Sequence, residues 1–318
     1  MRSVLRRGAW LVLLMFLATA CTDKSSPAGG GSGSSTTGRT PQFEVPDLHL
    51  QESAFAPVDL VFQPTAYRRA RRYLDYVEGT SLYACLKRKG FAVDAGAIQV
   101  PLVVEVGEPD LDQRREVGYG LLEQGAPSVV DPASTVNGVT VDEATFGGPT
   151  DVVAFNHDGL QGQARIGGCR GEVLRALYGD AATYLDFDST QSEAHNSSVA
   201  MLPESEREPV RLRWVQCMSR RGHSYADQSM PKTQLQAELQ STGPTPDFAT
   251  RERSIAVDDG ACVVESQLPS LRRDAAMQYL DGLSAAQRAA LDSATQLLIT
   301  SLQRAPSLLE DARHALSQ

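Results

Sequence analysis

The stretch Val210-Arg211-Leu212-Arg213-Trp214-Val215-Gln216-Cys217-Met218-Ser219-Arg220-Arg221-Gly222 decides how the chain is read. Val210, Trp214, Cys217 and Met218 fall on one face at helical spacing, so a helix is predicted over 207–221. Arg220 and Arg221 suit the negative end of a helix, and Gly222 sits where a C-cap falls. Residues 84–91, Ala-Cys-Leu-Lys-Arg-Lys-Gly-Phe, repeat the pattern. Both copies run cysteine, large apolar residue, two basic residues within the next three, and Gly five places after the cysteine. A helix is predicted over 66–89 on the same grounds. The basic residues read as solvated, dipole-complementing charges rather than as a binding patch.

A second motif also occurs twice. Gly167-Gly168-Cys169-Arg170-Gly171-Glu172 and Gly260-Ala261-Cys262-Val263-Val264-Glu265 share Gly-x-Cys-x-x-Glu. The order along the chain is first type, second type, first type, second type. Spacing alone does not choose among the three connectivities open to four cysteines. A degenerate internal duplication with one disulfide per unit would join Cys85 to Cys169 and Cys217 to Cys262. Loops of that size would stabilise the fold by roughly 4 kcal/mol each in the chain-entropy model. Metal binding is the competing use of cysteine, but no CxxC or HExxH occurs, so no metal site is expected.

The fifth cysteine has a different context. Arg2, Arg6 and Arg7 precede an apolar run from Ala9 to Ala18, roughly half the length a membrane-spanning helix needs. That is the form of a signal-peptide core. It ends in Ala18-Thr19-Ala20-Cys21, which resembles a bacterial lipobox, with Ala18 where Leu is usual. In such signals the cysteine is acylated on its thiol and becomes the new N-terminus. The competing reading is an ordinary secretory signal. Gly8-Ala9-Trp10 fits twin-arginine export poorly. Residues 22–42 are rich in Gly, Ser and Thr and nearly devoid of large apolar side chains, which makes a flexible tether. The expected organisation is a signal peptide at 1–20, a lipidated Cys21 with linker over 21–45, and a mostly helical extracytoplasmic domain over 46–318. Export would place the other four cysteines in an oxidising compartment, where an even set pairs.

The 318 residues are 42% hydrophobic and 22% charged, which fits a folded globular chain. Lys and Arg total 30 against 39 Asp and Glu, a net of −9 that becomes −12 once Arg2, Arg6 and Arg7 are removed. Such a surface repels phosphate backbones, so no nucleic-acid partner is expected.

Together these residues resemble a family of uncharacterised lipoproteins of high-GC Gram-positive bacteria. Its members carry a lipobox, a tether, a helix ending in Cys-Met-x-x-x-Gly-aromatic, and a later helix with Ala-x-Asp-x-x-Cys. The matching pieces here are Cys85-Leu86…Gly90-Phe91, Gly118-Tyr119-Gly120, and Gly168-Cys169…Leu177-Tyr178-Gly179. They continue with Trp214…Cys217-Met218…Gly222, Ile255-Ala256-Val257-Asp258…Cys262, and Leu302-Gln303-Arg304-Ala305. Leu86 stands in place of Met and His223 in place of the aromatic. The resemblance adds to the cysteine pairing above. It implies architecture and location, and no activity.

The coarse layout is mainly α, a disulfide-clipped helical domain with a long irregular Gly-rich insert. Residues 46–64 read as extended, and helix is expected at 168–178 and 206–221. Residues 96–165 carry turn signals such as Asn137-Gly138 and Asp158-Gly159, with β-like runs at Val100–Val106 and Asp151–Phe155. From 249 to 316 the chain reads as helical, with a capping box starting at Ser284 and a break or kink at Pro306.

No nucleophile elbow, P-loop or dinucleotide fingerprint is present, and no cofactor is expected. His157-Asp158-Gly159 reads first as a turn and only then as half a catalytic constellation. Asp186-Phe187-Asp188-Ser189-Thr190 has a Ca²⁺-like carboxylate spacing but lacks the Gly and terminal Glu of an EF-hand loop. Asp258 and Asp259 are adjacent, so on a helix they point about 100° apart and suit caps or ion pairs better than acid–base work. Tyr67, Tyr73, Tyr76 and Tyr83 read as core and rim of one helix. The favoured function is a non-enzymatic, membrane-anchored binding or accessory protein on the extracytoplasmic face of the cell membrane. Its partners would be the membrane, through the lipid, and an envelope protein or ligand. A cell-envelope hydrolase and a solute-binding lipoprotein of a transporter are the alternatives.

Overall fold

The computed structural model describes residues 55–99, 101–102, 105, 108–122, 128–157 and 160–318, with backbone alone at 156–157 and 160–161. The signal peptide, Cys21, the linker and part of the Val100–Val106 run lie outside the described residues. Among those described, the fold is mainly α, with eleven α-helices and two short antiparallel hairpins.

Two long helices form the spine. α2 (Thr65–Arg88) and α11 (Ala285–Ser317) pack along each other. Leu74 and Val77 of α2 meet Leu298, Leu302, Ala305 and Leu309 of α11 in the main core. These residues recur at helical spacing, so each helix presents a continuous apolar stripe to its partner. α5 (Gly168–Tyr178) and α6 (Ala181–Ala200) close the same core with Leu174, Leu177, Tyr178 and Phe187. α1 (Pro57–Phe62) and α10 (Leu268–Asp281) add a satellite cluster through Val61, Phe62 and Ala276. The tyrosines of α2 fall as expected, with Tyr67, Tyr73 and Tyr76 buried.

A second group gathers around α9 (Phe248–Glu265), which contacts α3 (Leu111–Val117), α7 (Glu204–Arg220) and α8 (Met230–Thr242). Val210, Trp214, Cys217 and Met218 are all buried, as the period of that stretch requires. Ile255 and Cys262, seven apart on α9, are buried as well.

Both disulfides are present. Cys85, in the last turn of α2, bonds Cys169, in the first turn of α5, with Cα atoms 5.7 Å apart. Cys217, in the last turn of α7, bonds Cys262 in α9, at 5.5 Å. The two helix ends that carry the first cysteines are built alike. Gly90 and Gly222 take positive φ, +94° and +86°. The N–H of Phe91 donates to Leu86 O and that of His223 to Met218 O, the Schellman arrangement in both cases. A Cβ strains that left-handed backbone, which is why glycine stands there.

Three expectations need correction. Residues 57–62 are helical rather than extended. Pro57 sits at the first helical position, and the Asp59 carboxylate accepts from the Ala56 N–H at 2.8 Å, so the turn is capped despite the flanking prolines. The helix does not break at Pro306, which lies inside a continuous α11. The packing of Leu302, Ala305 and Leu309 on α2 outweighs the lost N–H. The Ser284–Gln287 capping box does start that helix.

Among its described residues, the insert over 96–165 also holds more regular elements than expected. It holds α3, α4 (Val141–Phe146) and hairpins β1–β2 (Thr135–Val136, Val139–Thr140) and β3–β4 (Val152–His157, Leu160–Arg165). Asn137 and Gly138, both at positive φ, form the first hairpin's turn. Asp186 to Thr190 belong to α6, so they form no loop able to wrap an ion.

Candidate functional site

A polar stripe on α2 is the starting point. Arg71, Asp75 and Glu78 follow one another at i, i+4 and i+7, so they share a face. That face meets α5 and α6. Tyr178 OH donates to Glu78 Oε1 at 2.6 Å, and the Arg71 guanidinium lies 5.0 Å above the Phe187 ring. Tyr178 packs against Tyr184 and Phe187, with centroids 4.9 and 6.1 Å away. Tyr67 OH donates to Gln191 at the other end of the stripe.

Burial sets the electrostatics of this cluster. It raises the Glu78 carboxyl above the usual range, against the opposing bond from Tyr178 and the charge of Arg71. Burial and the Glu78 charge hold the Tyr178 phenol well above its ordinary value. Tyr184 is pushed up to about 12 by the same two causes. Asp75 is also raised, by crowding and then by Asp188. Its side chain remains 49% exposed, so solvent screens most of that effect. The phenols therefore stay protonated and act as fixed donors. Their chemistry is positioning: they lock the aromatic side chains in place.

On the far side of those rings runs an open groove of about 560 Å³ between α6 and α11. Tyr178, Phe187 and Leu297 form its floor. Thr183, Asp186 and Thr190 line it from α6, and Ser293, Gln296, Thr300 and Arg304 from α11. The α11 wall is tied to the end of α5 beneath: Ser301 Oγ and Arg304 Nη1 both donate to Leu177 O, at 3.1 and 3.0 Å.

A second polar cluster is closed to solvent. Asp259 Oδ2 accepts from Arg114 Nη1 at 2.8 Å and Tyr119 OH at 2.9 Å, and Oδ1 accepts from Trp214 Nε1 at 2.8 Å. Arg114 also donates from Nε to Glu105 at 2.8 Å and from Nη1 to Ala256 O at 2.8 Å. Each charge answers another, so this cluster joins α3, α7 and α9. Its neighbour Asp258 points outward to Arg221 Nη1 at 2.8 Å and His223 Nε2 at 2.9 Å. The adjacent carboxylates thus serve two ion-pair sets, as their angular separation requires, and Arg221 belongs to the first-type motif.

The structure brings Cys85 to Cys169 and Cys217 to Cys262, all nearly inaccessible. Asp186 and Asp188, two apart on a helix, diverge by about 200°. Asp186 faces the groove and Asp188 the tyrosine cluster, so they do not converge on one point. His157 lies in β3, with its side chain outside the description. Among the described residues, no group of three or more His, Cys, Asp and Glu is placed to hold a metal ion. The groove itself was not foreseen. Thr183, Asp186, Phe187 and Thr190 recur at i, i+3, i+4 and i+7, but their mixed hydroxyl and aromatic character hid α6 in a region assigned no element from sequence.

Comparison with protein-family models, with curated proteins and with solved structures gives no match for this chain.

Proposed function

We propose that this chain is a lipid-anchored extracytoplasmic protein of the cell envelope that binds or assists another envelope component without turning it over. On this reading Cys21 carries the lipid, 22–45 is the tether, and the helical domain does the binding. The lipoproteins of high-GC Gram-positive bacteria that the sequence resembles are its proposed kin. The observation that carries the reading is the pair of buried disulfides, since such bonds form and persist in oxidising compartments. The preformed groove between α6 and α11 supports a binding role. The charged groups behind it are engaged with one another and hold shape, which favours recognition over catalysis.

The test is fractionation of cells expressing the chain or its Cys21→Ala variant, with labelled palmitate. The wild type should partition with membranes, carry label, and show no free thiols at Cys85, Cys169, Cys217 or Cys262. Cys21→Ala should lose label and membrane retention. A wild type found in the cytosol with reactive thiols overturns the proposal.

A further inference from the structure

We propose that the groove between α6 and α11 binds a short, neutral oligosaccharide. This rests on the binding-protein reading above and gives it a ligand class. Hydrogen-bond valence points to this class. A serine or threonine hydroxyl has a single proton to give. Thr183 Oγ1 gives its proton to Asp180 Oδ2 at 2.9 Å, Ser293 Oγ to Ala289 O at 2.8 Å, and Thr300 Oγ1 to Gln296 O at 2.9 Å. What these three oxygens have left is acceptor capacity. The Asp186 carboxylate adds acceptors alone. Arg304, Gln296 and the Thr190 hydroxyl bring donors to the same walls. A ligand that satisfies this surface must therefore be rich in donors.

Two further features narrow the class. Tyr178 and Phe187 are each only 2% exposed, so the floor offers no open ring face. A peptide backbone supplies one N–H per residue, whereas a sugar ring supplies several O–H donors. The charges on the walls, one carboxylate and one guanidinium, cancel, which favours a neutral ligand. The volume of about 560 Å³ sits within the roughly 300–1,000 Å³ of small-ligand sites. The bonds from Ser301 and Arg304 to Leu177 O fix the α11 wall against α5 before any ligand arrives, which lowers the ordering cost of binding.

The experiment uses the full chain in detergent micelles with maltotriose and triacetylchitotriose as probes and tetra-alanine as the peptide comparison. Saturation-transfer NMR and equilibrium dialysis read binding. At least one sugar should bind and tetra-alanine should not. Ser293→Leu and Thr190→Leu, which fill the groove, should each weaken sugar binding at least tenfold. Ser241→Leu, on exposed α8, should leave it unchanged. Circular dichroism confirms that all three variants fold. Failure of both sugars to bind, binding indifferent to Ser293→Leu and Thr190→Leu, or binding of tetra-alanine instead would overturn the proposal. A chain that is palmitoylated and membrane-bound yet binds neither sugar would sink the ligand class while leaving the anchored-protein reading intact.

Discussion

The Glu172 carboxylate lies 3.4 Å from Cys85 Sγ, and Glu265 repeats the relationship 3.2 Å from Cys217 Sγ. Each glutamate follows the second cysteine of its pair by three residues. Each also meets a basic side chain one turn after the first cysteine: Lys89 Nζ at 3.3 Å from Glu172, and Arg220 against Glu265. A disulfide sulfur has no proton, so these contacts are not hydrogen bonds. They put a negative charge at the sulfur that a reducing thiolate must approach.

Glu172→Gln and Glu265→Gln keep the shape and remove that charge. Exposed ion pairs of this kind contribute only about 0–1 kcal/mol, so melting temperatures should barely move. Reduction by dithiothreitol should speed up several-fold at the affected bond, as read by maleimide trapping and peptide mapping. Equal rates in wild type and variants would show that the carboxylates do not guard the sulfurs.

Asp259→Ala should cost about 3–5 kcal/mol in urea denaturation, because it strands a buried guanidinium and two further donors. Asp258→Ala, one residue away, should cost about 1 kcal/mol or less, since its partners remain solvated. Equal costs for the two would refute the assignment of Asp259 as the buried hub.

His195 gives a pH dependence. Burial lowers its folded pKa, with Arg272 and Arg68 adding to the effect and the Nδ1 bond to Val61 O opposing it. The unfolded chain therefore takes up the proton first. The stabilising contribution is complete above about pH 6.5, the ordinary histidine value, and is lost as pH falls through the lower folded value. Stability should drop between pH 7.5 and 5 in the wild type and drop less in His195→Gln. Parallel slopes would discount His195 as the cause.

Pro306→Ala restores an N–H inside α11 and should raise stability, by up to about 3 kcal/mol. Thermal unfolding checks this. A lower melting temperature would mean that the ring of Pro306 packs usefully beside Tyr73 and Leu309, with which it lines a surface pocket.

The double variant Cys217→Ala/Cys262→Ala should lose about 2–4 kcal/mol in chemical denaturation, with helix content kept. A loss of far-ultraviolet signal at 25 °C would show that the bond is required to form the α7–α9 pair rather than only to tighten it.

What could be read from sequence follows from where a residue's signal is local. The helix ends at Cys85 and Cys217 were legible because apolar period, basic last turn and glycine cap all fall within a few residues. The pairing of the cysteines could be expected because the two motifs recur in order and the family resemblance adds to that order. α1 was missed because its start looks like a proline-flanked loop until Asp59 is seen to reach back to Ala56. α6 was missed because Thr183, Asp186, Ser189 and Thr190 have weak helix preference. The apolar residues that hold it, Phe187 and Ala194, find their partners only after α2, α10 and α11 are in place. The groove depends on that long-range packing, so its residues could not be grouped beforehand.

The disulfide loops run 85–169 and 217–262, one wholly before the other. Neither encloses nor crosses the other. With Cys21 blocked by the proposed lipid, a chain threaded N-terminus first through a narrow channel would present Cys85, then Cys169, then Cys217, then Cys262 as free thiols. An oxidant that joins each new cysteine to the one still waiting produces the native set in order of arrival. Vectorial emergence can therefore complete the covalent framework without any reshuffling of wrong bonds, before α10 and α11 have emerged.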